Sequence, residues 1–317
     1  MDFEKLQGTM DSICENIERV IIGKREEVRL VLGALLAGGH VLLEDVPGTG
    51  KTMLAKALSR SFDCEFGRVQ FTPDLLPSEL TGINFYSPKT GEFSFRKGSL
   101  FTNILLGDEI NRATPRTQSG LLESMEELQV SVDGVSYPLP APYFVIATQN
   151  PIETQGTFPL PEAQLDRFLI QLKLGYPSKE ETVDILQKYV KEEPMASIGP
   201  VCDRATLMEM RQAVKSVYIH EEVYGYIVSL AEATRSHGDV ALGISTRGCI
   251  ALARLVQSRA AMEGRDYATP DDVKALLPYV FAHRLILHGS RRSAAIGKVL
   301  EDVLSTVPAP VEDWGSR

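Results

Sequence analysis

Cysteine is scarce. The 317-residue chain has four, at positions 14, 64, 202 and 249, too far apart for a C-x-x-C zinc or redox pair and too few for a disulfide framework. A reducing, cytoplasmic setting is the expectation. Histidine is equally thin: His40, His220, His237, His283 and His288 form no H-E-x-x-H pair and no acid-flanked cluster at ligand spacing, so no zinc site is expected. Long apolar runs are missing too. The longest, Val31 to Leu43, is broken by Gly33, Gly38, Gly39 and His40, short of the roughly 20 residues that cross a bilayer. The N-terminal stretch mixes acids among apolar positions, where a secretory signal needs a basic start and an unbroken apolar run. Positive charge is in deficit as well. With 33 basic against 42 acidic residues the net charge is −9, and Arg291-Arg292 is the one marked basic pair beyond the core. No electrostatic footprint for duplex DNA results, and no specific nucleic acid partner is expected.

The composition that remains, 44% hydrophobic and 24% charged, is that of a globular protein, at a length that predicts about two domains. Apolar residues recur at three and four through Leu6, Met10, Ile13, Ile17 and Val20, then through Val28, Val31, Leu32, Leu35 and Leu36. That spacing predicts two amphipathic helices split at Ile22-Gly23. Five short runs are expected as strands: His40 to Leu43, Glu65 to Phe71, Asn103 to Leu106, Tyr143 to Ala147 and Phe168 to Leu174. Helical or loop segments between them argue for a mostly parallel α/β sheet covered by helices. Beyond Gly175 the apolar period is helical throughout, which predicts an all-helical remainder. Ser178 and Glu181 have capping-box spacing, so the border is drawn near 176, and Thr269-Pro270-Asp271-Asp272 is a second helix start. The tail after Pro308 is expected to fray.

One segment carries most of the chemistry. Val46-Pro47-Gly48-Thr49-Gly50-Lys51-Thr52 follows a strand and opens a helix, the setting of a phosphate-binding loop. Gly48 and Gly50 let successive N–H groups turn inward on phosphate oxygens, and the helix N-terminus adds partial positive charge. Lys51 can reach the β- and γ-phosphates, and the Thr52 hydroxyl suits Mg²⁺. Asp45 stands where the usual pattern has its first glycine, a departure of one position. A second element, Asn103 to Glu109, is an apolar strand ending in two acids. Asp108 can hold Mg²⁺ and Glu109 can polarise water toward a γ-phosphate, although such a pair alone is equally read as a solvated strand end. Asn150 before Pro151 can be a plain turn former, and Arg167 beside Asp166 a surface ion pair.

Taken in order, PGTGKT, LLGDEINRA, ATQNP and LPEAQLDRF resemble an AAA+ ATPase of the MoxR family, and the likeness covers nearly the whole chain. It implies a P-loop NTPase core with a five-stranded parallel sheet sandwiched by helices over residues 1–176, then an all-helical lid over 177–317. It implies ATP and Mg²⁺ as ligands. Nucleotide contacts would come from Ile22 and Gly23 on the adenine side, from Pro47, Gly48, Thr49, Gly50, Lys51, Thr52 and Met53, and from Arg247. In the family's terms Asn150 matches sensor 1, which positions the attacking water, and Arg167 the arginine finger given to a neighbouring subunit. Arg247, in Gly243-Ile244-Ser245-Thr246-Arg247, matches sensor 2, with Thr246 where the family commonly has Pro.

Since an arginine far from the loop in sequence cannot easily join its own phosphates, the finger implies a ring of identical subunits, a hexamer by resemblance. The same resemblance implies a protein client and a partner with a von Willebrand factor A domain. Two hairpins are expected inside the core, over Ile83 to Phe95 around Lys89-Thr90-Gly91, and over Leu128 to Tyr137 around Asp133-Gly134, a strong type I′ turn signal. They resemble the family's helix-2 insert and pre-sensor-1 hairpin. Two other classes stay open. A scaffold that binds ATP without turnover would lack Glu109 or the finger, and an enhancer-type activator would carry G-A-F-T-G-A where the hairpin reads Gly91-Glu92-Phe93-Ser94-Phe95.

Overall fold

In the computed structural model, residues 1–88, 91–151, 156–289 and 293–310 are described. Lys89 and Thr90 of the first hairpin, Ile152 and Glu153 after Pro151, Arg291-Arg292 and the tail from 311 lie outside the described residues.

Helix α1 (Phe3–Glu18) buries the stripe Leu6, Met10, Ile13 and Ile17, and α2 (Arg25–Ala37) ends at Gly38, whose φ of +74° makes the left-handed C-cap. Strand β1 (Val41–Glu44) leads through the glycine loop into α3 (Lys51–Ser61), and β2 (Phe66–Gln70) follows. A short α4 (Pro77–Thr81) enters the hairpin β3 (Gly82–Ser87) and β4 (Glu92–Lys97). Then come β5 (Ile104–Asp108), α5 (Pro115–Glu127), the hairpin β6 (Gln129–Val132) and β7 (Val135–Pro138), β8 (Phe144–Gln149), α6 (Glu162–Leu165) and β9 (Ile170–Leu172). Asp133 and Gly134 both have positive φ, 52° and 79°, as a type I′ turn requires.

The main sheet has five strands in the order β2-β5-β8-β1-β9, every pairing parallel. Alternation of side chains divides the core between its two faces. Val41, Leu43, Ile104, Leu106, Phe144 and Ile146 join one apolar cluster, while Leu42, Leu105, Val145 and Ala147 join the other. Because all five strands point one way, the carboxyl ends of β1, β8 and β5 lie side by side at one edge. The segments preceding β1 and β9 lie together at the opposite edge, where the Leu169 N–H donates to the His40 carbonyl at 2.8 Å.

Strand ends move from the sequence-based expectation for identifiable reasons. The run Asn103 to Leu106 extends to Asp108, since Gly107 pairs with Ala147 and Asp108 with Gln70. The run Phe168 to Leu174 shrinks to Ile170–Leu172. Its first carbonyls accept from Arg284 and the Leu174 N–H donates to Asp45, so neither end is free for a ladder.

After Gly175 the chain is helical: α7 (Lys179–Tyr189), α8 (Arg204–Val214), α9 (Glu221–Ser236), α10 (Thr246–Met262), α11 (Pro270–Phe281) and α12 (Ser293–Thr306). Reciprocal capping boxes start α7 at Ser178/Glu181 and α11 at Thr269/Asp272. The expected all-helical remainder needs one correction. An antiparallel ribbon joins β10 (Val240–Leu242) to β11 (Ile286–Leu287), strands too short to show a two-residue period and paired far apart in sequence. Helices α8 to α12 also share one apolar cluster with α1 and α2, and the Ser258 hydroxyl on α10 donates to the Gly33 carbonyl at 2.8 Å. Among the described residues no helix is long and apolar enough to cross a membrane.

Candidate active site

Between β1 and α3 the backbone turns through Gly48 and Gly50, with φ of +88° and +89°, values that side-chain-bearing residues rarely adopt. Nothing lies within 4 Å of the point where a Cβ on Gly48 would sit, so this glycine faces open space. Helix α3 begins at Lys51 without a side-chain cap, which leaves its first-turn N–H groups and positive end to an anion. Lys51 is buried, and its Nζ donates to the Asp45 carbonyl at 3.0 Å. Thr49 is buried and donates to the Val46 carbonyl at 3.3 Å. Pro47 is exposed, and Thr52 and Met53 are half-buried in the first turn.

The missing first glycine has a structural account. The Asp45 side chain turns out of the loop, and its carboxylate accepts the N–H groups of Leu174, at 2.5 Å, and Gly175, at 3.2 Å. On the other flank Ile21 Cδ1 is 3.7 Å from a Cβ position on Gly50. Val20 accepts from the Tyr189 hydroxyl at 2.8 Å, and Glu181 Oε1 lies 2.0 Å from where a Cβ on Gly23 would be. The Val20 to Gly23 segment is thus pressed between the loop and α7.

The acids at the end of β5 share one hydroxyl. Thr148 Oγ1 on β8 donates to Asp108 Oδ1 at 2.7 Å and accepts the Glu109 N–H at 2.9 Å. Asp108 Oδ2 pairs with Arg68 Nη2 at 2.8 Å. Glu109 has φ +57°, a costly conformation of the kind that gathers at functional sites. Its Oε2 accepts from Gln70 Nε2 at 2.7 Å and pairs with Arg112 Nε at 3.2 Å. Asn150, at the end of β8, is 6% exposed. Lys51, Thr52, Asp108, Glu109 and Asn150 therefore follow three adjacent strand ends. The donors are hard oxygens, which suit Mg²⁺, and among the described residues no group of three His, Cys, Asp or Glu could hold a metal. A cation between Thr52 and Asp108 would complete its shell from phosphates and water, the usual habit of Mg²⁺.

Arg167 and Arg247 are elsewhere. Arg167 precedes β9, Arg247 lies in the first turn of α10, and both pair with one carboxylate at the end of α5. Arg167 Nη2 is 3.3 Å from Glu126 Oε2, and Arg247 Nη2 contacts Glu126 Oε1. With His40, Asp166 and Arg284 they line a cavity of about 310 Å³ at the sheet edge opposite the glycine loop. The length of β1, roughly 13 Å at strand rise, and the loop itself separate these arginines from Lys51. The structure brings the phosphate-loop and strand-end residues together and keeps this pair apart from them.

The profile of the ATPase family associated with various cellular activities (AAA) matches residues 40–170, and that of the AAA lid domain matches residues 232–305. The chain is 38% identical over 313 residues to Chaperone MoxR1 of Mycobacterium tuberculosis, covering 95% of this chain and 82% of that one. This chain belongs to the MoxR family of AAA+ ATPases. It is also 47% identical over 311 residues to the uncharacterised protein YeaC of Bacillus subtilis, covering 98% and 97% of the two chains. A crystal structure of a candidate ATPase from Cytophaga hutchinsonii superposes with a TM-score of 0.90 at 33% identity, over 98% of this chain and 97% of that one.

Several residues of this MoxR site escape sequence reasoning. Arg68 and Gln70 are two apart and so share a face of β2, but nothing local says that β5 is the neighbour. Thr148 stands inside ATQNP, but nothing in that motif names the two acids of β5 as its partners; Glu126 carries no motif, and Asp45 reads only as a mismatch. The reach of each is set by strand order, which no window of sequence contains.

Proposed function

We propose that the protein hydrolyses ATP to ADP and phosphate in a Mg²⁺-dependent reaction at the interfaces of a hexameric ring. The observation that carries this reading is the separation just described. One edge of the sheet carries a loop, a lysine and carboxylates suited to holding a triphosphate and activating water, and the other presents two arginines too distant to reach that loop within the same subunit. A neighbour's arginines would complete each site, which favours turnover over nucleotide storage.

In this reading the glycine loop N–H groups and Lys51 hold the β- and γ-phosphates, while Ile22 and Gly23 border the base. Thr52 and Asp108 would hold Mg²⁺, which when bound offsets charge on the transferring phosphoryl group. Arg68 leaves Asp108 Oδ2 as that carboxylate takes up its ligand role. Glu109, released from Gln70, accepts the proton of the attacking water, and Asn150 positions that water. Arg167 of one subunit stabilises charge on the neighbour's γ-phosphate, and Arg247 joins it from the same face, in trans. A chaperone-like role on protein clients is supported by the name of the Mycobacterium relative. Engagement of a von Willebrand factor A domain partner and a cytoplasmic location belong to the same proposal, as does the assignment of 1–176 as the nucleotide core and 177–317 as the lid.

Mixing tests the reading. Arg167→Ala should bind ATP yet release phosphate about 10³-fold more slowly, and Lys51→Ala should be inactive. Together they should regain activity, since the intact loop of one meets the intact arginine of the other. No recovery at any mixing ratio removes supply in trans.

A further inference from the structure

Arg284 is the most completely bonded guanidinium among the described residues. It ends the 3₁₀ turn Ala282–Arg284 in the lid, and its side chain is 4% exposed. Nε donates to Asp166 Oδ1 at 2.6 Å. Nη2 donates to the carbonyls of Asp166, at 3.2 Å, and Phe168, at 2.7 Å, while Nη1 donates to those of Leu169, at 3.2 Å, and Val280. All five N–H groups have an oxygen acceptor, four of those five oxygens belong to the segment that carries Arg167, and Nη1 also lies 2.8 Å from His283 Nε2. The other oxygen of Asp166 accepts from the hydroxyl of Ser245, the N-cap of α10, at 3.4 Å. Arg247 sits two residues on. Beside it Gly248 leaves room for the guanidinium stem, since a Cβ there would lie 3.2 Å from Arg284 Cδ.

A joint serving only to close the lid on the core would not need this arrangement. Burying an ion pair costs desolvation, and an apolar residue of similar volume is often as stabilising or more so. What a guanidinium adds is direction, because its planar fork fixes several acceptors at once. Here the acceptors flank the half-buried Arg167 and touch the cap of the helix that bears the exposed Arg247.

We propose that Arg284 is a positioning residue for Arg167 and Arg247, holding both in the register in which a neighbouring subunit's nucleotide meets them. The inference rests on supply in trans as proposed above. It makes the lid, through Arg284 and Asp166, the element that aims the arginine face.

The test uses the full chain. Arg284→Met keeps the buried stem and removes the donors. It should leave KM within about twofold while lowering kcat about 10²-fold, the effect of a misplacement near 1 Å. Arg284→Lys, which keeps charge without the fork, should stay slow. Mixed with Lys51→Ala, Arg284→Met should recover, because its own loop is then served by correctly held arginines. Mixed with Arg167→Ala it should not, as both components present a faulty face. Recovery in the second mixture, or none in the first while the Arg167→Ala and Lys51→Ala control recovers, overturns the proposal. If the control itself fails, supply in trans is lost. The question for Arg284 then turns on the Arg167→Ala background, in which the Arg284→Met effect should largely vanish and full additivity overturns the proposal. Should Arg284→Met not fold, Asp166→Asn probes the same joint with the same mixtures, and wild-type turnover in that variant overturns it.

Discussion

The carboxylate of Asp45, in the phosphate-loop turn, accepts the backbone N–H of Leu174, where the chain leaves the sheet for the lid, at 2.5 Å. Pattern alone would make glycine at 45 harmless or even favourable. The hydrogen bonds say otherwise, because Asp45→Gly strands the N–H of Leu174, a residue 2% exposed, and weakens the hold on Gly175. An unsatisfied buried donor costs about 1–3 kcal/mol, so Asp45→Gly and Asp45→Ala should both melt several degrees lower. Unchanged thermal melting in Asp45→Gly would show that the carboxylate is dispensable.

Lys51 makes a single bond in this structure, to the Asp45 carbonyl. Lys51→Ala should therefore alter the melting temperature of the nucleotide-free protein little, yet weaken ATP binding about 10²-fold through loss of charge-assisted bonds to phosphate. Calorimetry on both proteins checks this, and equal affinities would remove the phosphate-loop assignment.

Glu109→Gln preserves the shape held by Gln70 and Arg112 but cannot accept a proton. Phosphate release should fall about 10²–10⁴-fold with ATP affinity retained. A rate near wild type in a stopped phosphate-release assay would move the base elsewhere.

Gly23 tests the contact between the Val20 to Gly23 segment and α7. Its φ is +73°, and an added Cβ would meet Glu181 Oε1 at 2.0 Å. Gly23→Ala should thus pay for a left-handed alanine, about 1 kcal/mol or more, and displace the carboxylate that accepts the Ser178 N–H at 2.7 Å in the α7 capping box. Adding Glu181→Ala should relieve the collision and leave the backbone cost. Melting curves for the single and double variants separate the two parts, and a Gly23→Ala protein as stable as wild type contradicts both.

His40 sets a pH dependence of stability. Its Nδ1 accepts the Val145 N–H at 3.0 Å, Nε2 is 3.0 Å from the Met125 carbonyl, and burial pushes its pKa from 6.5 down to about 4. Folded protein keeps the ring neutral while the unfolded chain protonates it. Between those two values the unfolded state binds more protons, so stability rises with pH and is lost as pH falls through the window, by about 1 kcal/mol per pH unit at the steepest. His283, shifted the same way by burial, adds to the slope. His40→Gln should melt with a shallower pH dependence than wild type across this range, and identical slopes would show that His40 does not contribute.

Much of the fold was legible because its signals are local. The glycine loop, the Asp133-Gly134 turn and the capping boxes at Ser178 and Thr269 each depend on residues within a few positions of one another. The five strands of the sheet announced themselves as apolar runs, and their side chains divide between two faces. The ribbon of Val240 with Leu287 was not legible, since a pairing across that distance leaves no trace in a short window. Arg68 and Gln70 were likewise unreadable until β5 was known to be the neighbour of β2.

Residue types and their close spacing by themselves determine the glycine loop, because the curled backbone, its lysine and the helix behind it are built from contiguous chain. The sidedness of the site comes from strand order and parallel direction, which gather Asp108, Glu109 and Asn150 beside Lys51 and send Arg167 and Arg247 to the far edge with Glu126. Those relations join residues that are distant along the chain, so they exist only once packing has chosen which strands are neighbours.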